Sequence, residues 1–139
     1  IQDMTDKVLG AQAGSSGYLN FEGQPELLKN RVKDQKANQY QSFNEALIDL
    51  KNDRIDALVI DRVYANYYLQ SEGILNDYNV FSAGFESEAF AVGVRPADKT
   101  LLDALNQAFI SLYQEGKFQE ISQKWFGEDV ATSQVKNQE

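Results

Sequence analysis

KVLGAQAGSSGYL, residues 7–19, combines a short apolar run with a small turn that carries hydroxyl groups. Residues 8–12 predict a buried strand, and residues 14–17 predict a turn that leads into a helix. The first amides of a helix have no acceptor inside it, and the helix dipole adds a partial positive charge there. Such a turn attracts an anion, so we expect it to bind the carboxylate of a small ligand. The residues concerned are Ser15, Ser16 and Gly17.

Helix capping explains the same turn equally well at this stage. Serine is among the best N-cap residues whatever the function of the protein. The turn is not a phosphate loop, because it is too short and lacks the Lys-Ser/Thr ending. Anion binding and capping therefore both stay open for Ser15 and Ser16.

A second polar feature follows the run IDALVI, residues 55–60, which is typical of a buried parallel strand. Asp61 ends that run, and the carboxyl ends of parallel strands share one edge of a sheet, where ligands bind. Asp61 is predicted to pair with a ligand ammonium; its alternative role is to cap the helix beginning at Arg62. Gln12 either faces the same cleft or is an ordinary polar residue at a strand end. Together, an anion site and a carboxylate suit a zwitterionic α-amino acid.

Apolar periodicity gives the remaining elements. Strands are predicted at 8–12, 37–40, 55–60, 78–81 and 89–94. Helices are predicted after Gly17, from Pro25, after a Ser42–Glu45 capping box, over 62–71, from Asp98 to Gly116, and from Phe118 to Gly127. Strands that alternate with helices predict an α/β domain with a mostly parallel sheet flanked by helices.

Composition excludes several function classes. The chain has 139 residues, a net charge of −8, and neither cysteine nor histidine. Nucleic acid is repelled by this charge, and thiol nucleophiles and zinc–thiolate sites are impossible. The commonest general acid–base group at neutral pH is missing as well. We expect no catalysis, no metal and no cofactor.

Two weaker patterns suggest other chemistry. Glu86 and Glu88 allow a two-carboxylate hydrolase, although solvated acidic residues are the commoner explanation. The tyrosines at 64, 67 and 68 allow a carbohydrate-stacking surface, although helix packing is more common.

Five motifs in order resemble the amino-acid-binding extracellular solute-binding proteins of ABC importers, the polar amino-acid group of family 3 type. The motifs are KVLGAQAGSS (7–16), ALIDL (46–50) leading to RIDALVID (54–61), FAVGVR (90–95), LNQA (105–108) with Leu112 and Gly116, and ISQKWFG (121–127). The resemblance implies one lobe of a type II periplasmic-binding-protein fold, from a two-lobed protein that closes on its ligand. It assigns the α-carboxylate to Ser15 and Ser16 and the α-ammonium to Asp61. Many members carry a larger residue where Gly17 stands here.

The same resemblance gives a domain layout. Residues 3–87 correspond to the second ligand-binding lobe, 88–95 to a hinge strand, 96–127 to C-terminal helices that normally pack on a first lobe, and 128–139 to a flexible tail. The first lobe, with its carboxylate-binding arginine, has no counterpart in this sequence.

We therefore expect a fragment of the substrate-binding component of an amino-acid ABC import system. Its expected partners are an amino acid, the membrane subunits of the transporter in the full-length protein, and a second copy through the C-terminal helices. The expected location is extracytoplasmic, in the periplasm or lipid-anchored at the outer face of the membrane. The alternatives are a ligand-sensing domain of a receptor or regulator, and a dehydratase-like enzyme on the same fold.

Overall fold

The computed structural model describes residues 2–136. The strands are β1 (Leu9–Gln12), β2 (Ala37–Tyr40) and β3 (Ala57–Val59). The α-helices are α1 (Ser16–Gly23), α2 (Phe43–Lys51), α3 (Arg62–Ser71), α4 (Lys99–Gln114), α5 (Lys117–Phe126) and α6 (Ser133–Lys136). Short 3₁₀ helices lie at Gln2–Met4, Lys33–Gln35 and Leu75–Asp77.

The described chain forms two compact units. The first comprises the residues up to Arg62 together with Asn79–Glu86, and the second comprises Val63–Tyr78 together with the residues from Ser87 onward. The first unit contains the sheet, and the second contains α4, α5 and α6.

The sheet has three parallel strands in the order β2-β1-β3, which confirms the predicted α/β architecture. Leu9 lies opposite Ala37 of β2 and Ala57 of β3, so the three strands begin and end nearly in register. Parallel strands with this register bring all of their carboxyl ends to one edge.

The core of the first unit lies between the sheet and its covering segments. Its buried residues are Met4, Leu9, Ala11, Phe21, Leu28, Val32 and Val59. The segment Asn79–Glu86 belongs to this unit and packs Ala83 and Phe85 against that core. Burial of these side chains is the main term that stabilises the sheet, at about 1.5–3 kcal/mol for each large one.

Helices α4 and α5 form the centre of the second unit. Gly116 adopts a left-handed conformation, φ 78°, between the two helices, and Gly127 with φ 72° ends α5, as predicted. Edge-to-face packing of Phe109 on Phe118, with ring centres 6.3 Å apart, joins the two helices. Several apolar side chains on these helices face solvent: Leu101, Leu102, Leu112, Ile121 and Trp125.

The strands predicted at 78–81 and 89–94 are wrong for residues 2–136, which form no strand there, while the hinge role of residues 88–95 stays a prediction. A strand exists only where a second strand pairs with it. Among residues 2–136, no backbone hydrogen bond reaches residues 85–94, and Phe90 is 74% exposed. Their apolar sequence is typical of a strand, but no second strand of the described chain pairs with them.

The helix predicted from Pro25 is also wrong. Residues 25–30 form turns, in which the Asn30 amide donates to the Pro25 carbonyl at 2.9 Å and the Arg31 amide to the Leu28 carbonyl at 3.0 Å. The apolar residues of this segment are nevertheless buried, since Leu28 and Val32 lie in the core.

Part of the predicted flexible tail is helical. Residues 133–136 form α6, and Lys136 pairs with Asp129 at 3.2 Å. Residues 137–139 of that tail lie outside the described residues.

Candidate functional site

The turn between β1 and α1 is built by the hydroxyl of Ser15. Its Oγ accepts a hydrogen bond from the Tyr18 amide at 3.2 Å and donates one to the Gln12 carbonyl at 2.9 Å. Ser15 is thus the N-cap of α1, and Gly14 before it adopts a left-handed conformation, φ 71°. The capping role open in the sequence is therefore real for Ser15, and a contact of its hydroxyl with ligand stays a prediction.

The next two amides differ from that of Tyr18. Ser16 and Gly17 are the first two residues of α1, so their N–H groups have no acceptor within the helix. Within residues 2–136, no other group accepts from them. Ser16 is exposed, so two amides and one hydroxyl at this helix end are available to donate to an anion.

Gly17 lies against β3. A Cβ added at Gly17 would meet Cγ1 of Val59 at 2.7 Å, closer than any ordinary carbon contact. Val59 is buried and pairs in register with Ala11 of β1. Only a glycine allows the first turn of α1 to pack this closely on the end of β3.

Asp61 follows β3 at the same edge. It lies two positions beyond Val59, the last residue of β3, and Arg62, the next residue, begins α3. The side chain of Asp61 is half-buried. Since β1 and β3 are parallel neighbours, the turn at 14–17 and Asp61 both lie beyond the carboxyl ends of their strands, as predicted.

Gln12 has a structural contact of its own. Its side-chain amide donates to the Gln41 carbonyl at 3.1 Å, which ties the end of β1 to the residue after β2. The amide of Ala13 donates to the Tyr40 carbonyl at 2.8 Å and extends the same connection. A ligand contact by Gln12 stays a prediction.

A polar cluster of three side chains lies between β2, α2 and the loop before β3. The Tyr40 hydroxyl donates to Asp49 Oδ2 at 2.9 Å, and Arg54 Nη1 donates to Asp49 Oδ1 at 2.9 Å. The hydrogen bond from Arg54, followed by that from Tyr40, lowers the pKa of Asp49, while burial and the Asp49 hydrogen bond raise the pKa of Tyr40. The cluster joins the end of β2 to α2 and to the loop before β3. No sequence motif predicts this cluster, because its three residues come from separate segments of the chain.

The second unit holds the tyrosines considered for stacking. Tyr64 and Tyr67 line an apolar groove of about 280 Å³ together with Val63, Phe90 and Phe126. The Tyr67 ring also lies 6.3 Å from that of Trp125.

The described residues contain neither a metal-binding cluster nor a helix that could cross a membrane. No group of three or more acidic side chains in residues 2–136 is arranged to hold a metal ion. In the same part of the chain, no helix combines the length and apolarity needed to cross a membrane.

Solved structures of two streptococcal proteins are similar to this chain. One is a polar amino acid ABC uptake transporter substrate binding protein from Streptococcus thermophilus, with 59% identity and a TM-score of 0.83 over 99% of this chain and 52% of its own. The other is an ABC uptake transporter substrate binding protein from Streptococcus pneumoniae with bound histidine, with 74% identity and a TM-score of 0.74 over 94% of this chain and 53% of its own. Both support one lobe of a type II periplasmic-binding-protein fold.

Among curated proteins, the ABC transporter arginine-binding protein 1 of Escherichia coli (strain K12) is 30% identical over 89% of this chain and 49% of its own length. The chain therefore spans about half the length of the relatives it matches. The model of the family "Bacterial extracellular solute-binding proteins, family 3" matches residues 28–128. The chain belongs to the bacterial extracellular solute-binding proteins, family 3.

Proposed function

We propose that this chain provides amino-acid-binding residues to the substrate-binding component of an ABC importer. The observation that carries the proposal is one sheet edge with two features: the open amides of Ser16 and Gly17, and the carboxylate of Asp61. An α-amino acid has an anionic and a cationic group on one carbon, which is the charge pattern complementary to that edge. The histidine bound to the Streptococcus pneumoniae relative supports this ligand class.

The carboxylate of the ligand accepts hydrogen bonds from the amides of Ser16 and Gly17 and from the Ser16 hydroxyl. Each hydrogen bond to a charged group contributes about 1.5–3 kcal/mol. The ammonium of the ligand pairs with Asp61. Ser15 contributes through the cap that holds the turn, and Gln12 through the connection to Gln41.

We infer the partners and the location from the family. In the whole protein, the ligand favours a closed state, and that population shift signals to the membrane subunits of the transporter. The protein acts outside the cytoplasmic membrane and performs no chemistry. We also propose that copies of this chain associate through α4 and α5.

The test is an NMR titration of the ¹⁵N-labelled chain with L-histidine. We expect the NMR signals of the Ser16 and Gly17 amides to shift. The dissociation constant is expected in the millimolar range, which corresponds to a binding free energy of about −4 kcal/mol. Asp61→Asn and Ser16→Ala each remove one ligand contact, so each weakens binding about tenfold.

The matched controls are Glu86→Gln and Ser87→Ala, which make the same chemical changes at exposed positions outside the helices and strands. They leave the titration unchanged. The proposal would be refuted if the amide signals of residues 16 and 17 did not shift with L-histidine or any other common amino acid. Equal effects of the site variants and the control variants on binding would refute it too.

A further inference from the structure

Gly17 is in a different situation from the other glycine of α1. A Cβ at Gly17 meets Val59 Cγ1 at 2.7 Å, whereas a Cβ at Gly23 meets nothing within 4 Å. Neither glycine has a positive φ, so neither position needs glycine for its backbone. By helix propensity alone, alanine suits both positions better. The requirement at position 17 is therefore one of space.

The neighbour of Gly17 cannot easily yield. Val59 is β-branched, 8% exposed, and held opposite Ala11 in the sheet, so its Cγ1 is not the end of a flexible side chain. An ordinary contact needs at least 3.4 Å. Alanine at position 17 therefore pushes the first turn of α1 away from the end of β3 by about 0.7 Å.

That movement separates the two halves of the amino-acid site. The amides of Ser16 and Gly17 move with α1, and Asp61 stays with β3, two residues beyond Val59. Binding groups must be held to within about 0.5 Å of their productive geometry, so this displacement exceeds the tolerance.

We propose that Gly17 is a positioning residue whose close packing on Val59 sets the spacing between the amides and Asp61, and thereby selects α-amino acids over β-amino acids. The inference rests on the proposed function. A β-amino acid inserts one methylene between its carboxylate and ammonium, which adds a bond of about 1.5 Å.

The experiment compares L-histidine with L-β-homohistidine, which has the same side chain and one more methylene between the charged groups. The readout is the ratio of the two dissociation constants, measured from the Ser16 and Tyr18 amides. Wild type prefers L-histidine by at least about tenfold, the usual value of one misplaced methylene. Gly17→Ala lowers that preference below about threefold, because the site is now wider.

Matched variants separate spacing from stability. Gly23→Ala makes the same change on the same helix in open space and keeps the wild-type preference. Gly17→Ala combined with Val59→Ala removes Cγ1 and restores the preference at least in part. If Gly17→Ala does not fold, Val59→Ile places a larger side chain on β3 against Gly17. The same titration is then made on that variant once its NMR spectrum shows that it is folded.

The outcomes distinguish the two proposals. Wild type that binds L-histidine with a preference unchanged by Gly17→Ala or Val59→Ile refutes the positioning role alone. An equal loss of affinity for both ligands refutes it too, since that result marks simple destabilisation. Wild-type amides that respond to no amino acid refute the proposed function and the positioning role together.

Discussion

Among single residues, Asp56 joins the beginnings of β1 and β3 at the edge opposite the site. Its Oδ2 accepts from the Val8 amide at 2.8 Å, and its Oδ1 lies 3.5 Å from Lys7 Nζ. The hydrogen bond from Val8 is the main cause that holds the pKa of Asp56 below its ordinary value of 3.8. Because the folded pKa is depressed, the stabilisation is present above pH 3.8 and is lost as the pH falls through the folded pKa.

Asp56→Asn is therefore expected to lower the free energy of unfolding at pH 7 by about 1 kcal/mol, after allowance for partial exposure. The difference between variant and wild type shrinks as the pH approaches 3. Urea unfolding at pH 7, 5 and 3 measures it. Asp103→Asn, at an exposed position of α4, is the control. A deficit of equal size at all three pH values would contradict the titration argument.

At the scale of single residues, the sequence located polar residues at the carboxyl edge of the sheet but not the contacts that form between distant segments. The position of Asp61 at that edge was predictable because a buried apolar run ended at it, and the position of the turn at 14–17 because small hydroxyl residues followed another such run. The closeness of Gly17 to Val59 was not predictable, since it depends on how α1 packs on a strand 42 residues further along the chain. The Tyr40–Asp49–Arg54 cluster escaped for the same reason.

Among the helices and strands, α2 begins at the clearest local signal of the chain. Ser42 Oγ accepts from the Glu45 amide at 3.3 Å, and Glu45 Oε2 accepts from the Ser42 amide at 3.3 Å. The helix then buries Ala46 and Leu47. The capping residues and the buried face thus both favour a helix at this place, which is why α2 could be predicted from the sequence.

Ser42→Ala is expected to lower the free energy of unfolding by about 1 kcal/mol, because the Glu45 amide loses its acceptor. Denaturant unfolding measures the change, with Ser87→Ala as the control at an exposed position outside any helix. The double variant Ser42→Ala/Glu45→Ala costs less than the two single changes together, since each removes part of one reciprocal pair. Strict additivity, or a loss no larger than that of the control, would contradict a working capping box.

The strand predictions failed where the signal was non-local. Residues 37–40 became β2 because β1 pairs with them, whereas residues 89–94 have an equally suitable composition and no partner within residues 2–136. β-propensity describes how well a residue fits a paired, half-buried surface, so it cannot report whether the pair exists. Helices α3, α4 and α5 were predictable because their hydrogen bonds are internal to each segment.

For the whole molecule, the proposed association of copies rests on the exposed apolar side chains of α4 and α5. Leu101 is 50% exposed, Ile121 53% and Trp125 46%. Large contiguous apolar patches are unusual on a monomer and mark interaction surfaces, and we expect these side chains to form such a patch. Two copies that meet on this patch remove it from water, and closed two-fold pairing is the commonest arrangement.

We therefore expect light scattering to report a mass that rises toward twice that of the chain as its concentration approaches about 1 mM, the range of a weak dimer. Leu101→Lys, which places a charge on the patch, lowers the mass to that of a monomer. Ile48→Lys changes a side chain that is 55% exposed on α2 and leaves association intact. Since apolar burial drives the contact, added salt does not dissociate the dimer. A monomer mass at every concentration, or equal effects of the two lysine variants, would exclude association through α4 and α5.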